Sequence, residues 1–308
     1  MAVEQRVKEE KSLEGKLSRV EGKYQKLSDL TDILGARVIC FFSDEVYKLG
    51  KAVEKEFVVD YANSADKSKL LDASSFGYLS LHYICSVKPE EGYPIEITNK
   101  KFEIQIRTNL QHTWAQIEHD LGYKSEFGVP TVVIRNFSRI AGMLELIDDE
   151  FCRTRDLMNN YTENVRQKII NNTADDVKID MVSINEYVTK NTEMKKLIQR
   201  FLDINHAELD VVSAVPYIDQ LAFFNIHTLG DLQNMMKQYG DLAFEIGKKP
   251  LEFSDIDILS SNIGLRCLCQ AKLLNEYTEE QAVEFFKIST GNEKRAISQA
   301  KSLLKKRN

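Results

Sequence analysis

Phe102-Glu103-Ile104-Gln105-Ile106-Arg107-Thr108 alternates apolar and polar residues without a break. Successive side chains of a strand point to opposite faces, so Phe102, Ile104 and Ile106 form one face and Glu103, Gln105 and Arg107 the other. Residues 78–87 divide the same way. Leu79, Leu81, Tyr83, Cys85 and Val87 point toward a core, while Tyr78, Ser80, His82 and Ser86 point away, with Ile84 the exception. If both strands lie in one sheet with their apolar rows on a shared side, the opposite side carries Tyr78, His82, Glu103, Gln105 and Arg107 in one cleft. A merely solvated sheet face more often carries Lys, Thr and Glu, so this set points to a site.

Upstream, Asp32 sits just before Gly35-Ala36-Arg37-Val38-Ile39-Cys40-Phe41-Phe42, which reads as a strand buried on both faces. A helix over residues 44–56, a short strand over 57–61 and a polar loop over 63–75 follow. Residues 4–26 read as a polar helix. Within it Lys8, Ser12 and Lys16 recur every four residues and share one helix face. A phosphate-binding stripe and an ordinary solvated face both have that spacing. Downstream, residues 109–123 read as a helix with Leu110, Trp114, Ile117 and Leu121 as its buried stripe and His112 and His119 off it. His119-Asp120 lacks a second cluster that would complete a metal site. After Pro130 the pattern is helical throughout: one or two long helices over 131–171, then shorter ones to Asn308. The polar cluster Asn171-Asn172-Thr173-Ala174-Asp175-Asp176 places a domain boundary there, giving domains 1–172 and 173–308.

With 308 residues, 43% hydrophobic and 29% charged, the chain is globular and long enough for two cores. No apolar run approaches the roughly 20 residues that cross a bilayer, and the N-terminus opens on charge rather than a signal peptide, so a cytoplasmic protein without membrane contact is expected. Five cysteines, none in CxxC spacing, read as reduced core thiols. The net charge of −6 argues against coating DNA but leaves room for a small phosphate pocket.

Taken in order, these pieces resemble the synthetase domain of the RelA/SpoT alarmone enzymes over residues 4–151. Four motifs carry the resemblance: Arg6, Lys8, Ser12 and Lys16 in the pattern R-x-K-x-x-x-S-x-x-x-K; Asp32 before Gly35-Ala36-Arg37-Val38; Gly77-Tyr78-Leu79-Ser80-Leu81-His82; and Glu103-Ile104-Gln105-Ile106-Arg107-Thr108. The resemblance implies an α+β fold: a mixed β-sheet nucleotidyltransferase domain, polymerase-beta-like and flanked by helices, here followed by an all-α C-terminal domain. It implies that Arg6, Lys8, Ser12, Lys16 and Arg37 hold ATP, that Asp32 and Glu103 bind Mg²⁺, and that Glu103 accepts the proton of the attacking hydroxyl. Tyr78 would stack on guanine, with His82, Gln105, Arg107, His112 and Glu118 around the acceptor. The implied reaction moves the β,γ-diphosphate of ATP to the 3′-hydroxyl of GDP or GTP and releases AMP.

Phe76 stands where the family usually has Asn, and Leu79 where many members carry a basic or polar residue, which leaves the acceptor open. The helical second half resembles neither the hydrolase nor the regulatory modules of long members, so a monofunctional small synthetase fits best. The alternatives are a toxin-type relative that pyrophosphorylates the 3′ end of tRNA, and an inactive nucleotide-binding module. The second half is open to a homo-oligomeric contact or a regulatory partner.

Overall fold

The computed structural model describes residues 1–8, 10, 13–14, 17, 29–70, 76–77, 79–89, 94–122 and 129–305. They form two compact units, residues 1–156 and 157–308. The first contains β1 (Ala2–Val7), β2 (Leu34–Cys40), α1 (Ser43–Glu56), β3 (Phe57–Val59), β4 (Ala65–Asp66), α2 (Lys67–Leu70), β5 (Leu81–Val87), α3 (Ile95–Thr98), β6 (Phe102–Thr108), α4 (Asn109–Gly122) and most of α5 (Thr131–Ile170). The strands make one mixed sheet in the order β1-β2-β6-β5-β3, with β4 paired to β5. Among the described residues of this sheet β2–β6 pair in parallel, and the β1–β2, β3–β5, β4–β5 and β5–β6 pairs are antiparallel.

The expected alternation sets the core. Leu81, Cys85, Ile104 and Ile106 are buried and pack with Val46, Leu49 and Val53 of α1. Contact is close at Gly50, where an added Cβ would stand 2.7 Å from a Leu81 methyl and would force that side chain to shift. The rings of Phe57 and Phe102 meet edge-on at 5.4 Å and close the far end of this core.

Four expectations need correction. Residues 2–7 are a strand, not the start of a helix: β2 offers an edge, and β1 pairs with it from Ala2↔Ile39 to Val7↔Leu34. β2 itself is not buried on both faces. Its one face carries Arg37 among polar groups, and within it only Ile39 and Cys40 are fully covered. The expected loop 63–75 contains β4 and the single turn α2, because Ala65 and Asp66 pair with His82 and Leu81. Finally, Trp114 of α4 is buried, its indole N–H donating to the Phe137 carbonyl at 3.1 Å, but Ile117 and Leu121 of the same stripe are exposed.

The second unit has α6 (Met181–Lys190), α7 (Thr192–Asn205), β7 (Glu208–Asp210), α8 (Ile218–Phe223), α9 (Leu229–Glu252), β8 (Ile258–Ser260), α10 (Ile263–Glu276), α11 (Glu279–Thr290) and α12 (Glu293–Leu304). It is helical as expected, with the short parallel pair β7–β8 added. Asp180, Thr228 and Thr278 cap α6, α9 and α11 by accepting from backbone amides of the first turn. Tyr187, Phe201, Phe285, Leu232 and Leu268 are among its fully buried side chains. Cys267 and Cys269 lie in this core, as Cys40 and Cys85 lie in the first unit's sheet, all as thiols rather than disulfides. Val165 and Ile169, in the last turns of α5, belong to the helical core.

α5 also carries a buried acid. Asp148 is 3% exposed and accepts the Thr108 hydroxyl at 2.7 Å. Burial pushes its carboxyl from 3.8 up to about 6, opposed by the Thr108 hydroxyl and helped by the neighbouring Asp149. A carboxyl raised on folding costs nothing while protonated, and the cost grows as pH rises from the unfolded to the folded pKa. The stability advantage of Asp148→Asn over the parent should therefore increase by about 3 kcal/mol at most between pH 4 and pH 7, as read by urea denaturation.

Candidate active site

Because paired residues of adjacent strands share a face, the sheet register fixes the site. One row runs Glu4, Arg37, Gln105, His82 across β1, β2, β6 and β5. The next runs Arg6, Gly35, Glu103, Ile84, and Ile39↔Arg107 begins a third. The polar face expected from β5 and β6 is thus real, and β1 and β2 extend it. The Arg6 side chain lies beside Gly35, where a built Cβ would meet its Cγ at an ordinary contact distance of 3.7 Å.

Hydrogen bonds link these side chains into a chain across the sheet. Glu103 accepts from His82 Nδ1 at 2.7 Å with one carboxylate oxygen and from Gln105 Nε2 at 2.8 Å with the other. Gln105 Oε1 accepts from Arg37 Nε at 3.3 Å, and Arg37 lies 3.7 Å from the Glu4 carboxylate. At the edge of this group Lys8 Nζ donates to Asp32 at 2.5 Å, both largely buried. The Lys8 backbone N–H donates to the Ile33 carbonyl at 2.8 Å, which fixes the end of β1 beside Asp32.

Arg107, 5% exposed, donates to His112 Nδ1 at 2.9 Å. A guanidinium can only donate, so that ring nitrogen must accept and His112 is neutral. Consistently, burial lowers the His112 pKa, with Arg107 and Arg37 adding to the shift and Glu4 opposing it. Burial alone would raise Glu103, yet its pKa is lowered, because the His82 hydrogen bond and charge, then Gln105, outweigh burial and the repulsion of Asp32.

That repulsion places Asp32 and Glu103 within each other's field. Two carboxylates, each held by a cationic or donor neighbour, suit a hard divalent cation that keeps water and phosphate oxygens as its other ligands. Among the described residues no group of three or more His, Cys, Asp or Glu is gathered.

The structure thus brings together Arg6, Lys8, Asp32, Arg37, His82, Glu103, Gln105, Arg107 and His112. Ser12, Lys16 and Tyr78 lie outside the described residues. Glu118 is exposed on α4. Glu4 and Gln111 were not foreseen. Glu4 is visible only once β1 is a strand; Gln111, 2% exposed, is a polar residue one turn before Trp114 on the inner side of α4.

Residues 5–127 match the family model for the region found in RelA / SpoT proteins. The first unit carries a RelA/SpoT region. Two curated relatives from Bacillus subtilis (strain 168) are similar to the chain. GTP pyrophosphokinase YwaC is 29% identical over 153 residues, covering 47% of this chain and 69% of the relative. GTP pyrophosphokinase YjbM is 29% identical over 157 residues, covering 49% and 69%. Among solved structures, the Bacillus subtilis small alarmone synthetase 1 bound to its product pppGpp aligns at 27% identity over 51% of this chain and 78% of that one, with a TM-score of 0.43.

Within the RelA/SpoT region, the Glu103–His82 pair has a measurable consequence. In His82→Ala the carboxyl stays buried but loses the first cause of its depression, so Glu103 should titrate higher than in the parent chain, as followed by carboxyl ¹³C shifts. An unmoved titration would mean the pair does not form in solution.

Proposed function

We propose that the chain is a GTP pyrophosphokinase of the (p)ppGpp synthetase type, transferring the β,γ-diphosphate of ATP to the 3′-hydroxyl of GDP or GTP. The observation that carries this reading is the continuous side-chain chain Glu4–Arg37–Gln105–Glu103–His82, which sets a guanidinium, two carboxylates, a carboxamide and an imidazole along one sheet face. The names of the similar relatives support it.

In this reading Arg6, Lys8 and Arg37, with Ser12 and Lys16, hold ATP. Several cations in a row match a polyphosphate, and planar guanidiniums at Arg6 and Arg37 can lie against adenine. Asp32 and Glu103 would hold Mg²⁺, which when bound neutralises phosphate charge. The lowered pKa keeps Glu103 ionised at neutral pH, ready to receive the hydroxyl proton while His82 and Gln105 orient it. The 3′-oxygen bonds to the β-phosphorus, the bond from that phosphorus to the α-bridging oxygen breaks, AMP leaves with the electron pair, and the proton goes to Glu103. Arg107 and the neutral His112 face the acceptor with Tyr78. Positioning and charge stabilisation then supply most of the acceleration.

The test is incubation of the full chain with γ-labelled ATP and Mg²⁺, in parallel with GDP, GTP or deacylated tRNA. Label on the guanine nucleotide with AMP release is expected, and Glu103→Gln should lose on the order of 10³-fold in kcat. Label on tRNA alone would replace the acceptor, and no transfer to any of the three would overturn the reading.

A further inference from the structure

The second unit encloses a cavity of about 320 Å³ that the reaction proposed for the first unit does not use. Pairs of side chains one helical turn apart build its wall: Tyr217 and Gln220 at the start of α8, Arg266 and Gln270 of α10, Gln299 and Ser302 of α12. Phe285 and Phe286 of α11 complete it. Burial grades this lining. Gln220, Phe285 and Phe286 are buried and close the bottom, while Arg266, Gln299 and Ser302 are exposed and form the mouth. Ligand pockets span roughly 300–1,000 Å³, so the space admits one small molecule.

The two ends differ in chemistry. No Asp or Glu is among the described residues that line the cavity, so Arg266 is the one permanent charge on its wall. Arg266 makes no ion pair, and the side chains of Gln270, Gln299 and Ser302 make no hydrogen bond, among the described residues. At the bottom, Gln220 is 7% exposed and donates from Nε2 to the Pro216 carbonyl at 3.2 Å. A carbonyl only accepts, so this bond fixes the orientation of the amide. Its Oε1 accepts nothing among the described residues and is left for a donor in the cavity. Burial raises the Tyr217 hydroxyl to about 12 against the opposing charge of Arg266, so the hydroxyl stays protonated and lies in the field of the guanidinium. The Tyr217 ring meets no other ring among the described residues, which leaves it for a planar ligand.

An anion at the mouth, a planar body and an N–H donor at the bottom are thus called for together. A guanidinium, two carboxamides and a hydroxyl offer more donors than the two oxygens of a carboxylate need, and they suit a phosphate monoester. We propose that this cavity binds a nucleoside monophosphate whose base carries an exocyclic amine. The phosphate pairs with Arg266, the base lies against Tyr217, and the amine donates to Gln220 Oε1. A single cation favours one phosphate over a polyphosphate. The inference does not depend on the pyrophosphokinase reading, because every residue it uses belongs to the second unit.

The test is calorimetric titration of the full chain with AMP and with CMP, beside inorganic phosphate, repeated on Arg266→Gln and Gln220→Leu. At least one of the two nucleotides should bind with a Kd below about 1 mM. In Arg266→Gln, which alters an exposed side chain, one bound equivalent should weaken about tenfold, while any equivalent held in the first unit keeps its Kd. Gln220→Leu should weaken the same equivalent. No binding of either nucleotide below about 1 mM would overturn the inference, as would isotherms that coincide for the parent chain and Arg266→Gln. Inorganic phosphate binding as tightly as the nucleotide would also overturn it, since the base would then contribute nothing.

Discussion

The arrangement depends on the parallel pairing of β2 with β6. Gly35 beside Glu103 and Arg37 beside Gln105 is a register, and a shift of one residue would turn every polar side chain of one strand toward the core. Two parallel neighbours cannot be joined by a hairpin, so the chain between them must make a crossover. That crossover contains α1, β3 and β5, and it is put to use twice. α1 covers the apolar face through Gly50 and Val46, and β5 returns on the other side of β6 with His82 on the polar face. The same connection that builds the core therefore delivers the partner of Glu103.

Electrostatics explains why the site is assembled from pairs. Asp32 and Glu103 repel, and each is at least partly removed from water, which on its own would drive both toward the protonated form. Lys8 on one and His82 with Gln105 on the other offset that cost and keep charge where an oxygen-seeking cation could use it. Arg107 poses the opposite problem, a buried cation, and one of its partners is the neutral imidazole of His112.

Much of this was legible in the sequence where a period was strong. β5 and β6 alternate so cleanly that both their strand character and the division of faces follow from side-chain order, and His82, Glu103, Gln105 and Arg107 come together as that order requires. β1 was not legible. All six of its residues are exposed, so no hydrophobic row marks it, and its strand character comes from pairing with β2, a tertiary contact. The reading of α4 failed in a different way. Periodicity tells which residues share a stripe but not how far along the stripe a neighbour reaches, and cover by α5 at Phe137 meets Trp114 but leaves Leu121 exposed.

Local propensity and burial agree through most of the molecule, with capped helices and an apolar second core that includes the packed rings of Phe224 and Phe285. Disagreement gathers at one corner of the first unit. Ser80 Oγ, Gln111 Nε2 and Asp148 Oδ1 are all buried without a hydrogen-bond partner, and hydrogen bonds tie Gln111 to Leu79 and, through Thr108, to Asp148. A core selected for stability alone would replace such groups with apolar ones of similar shape at little cost or some gain. They lie beside the end of β6, whereas in the larger second core Asn262 Oδ1 is the sole comparable atom among the described residues, so the stability cost of unpaired polar groups falls mainly on the first unit.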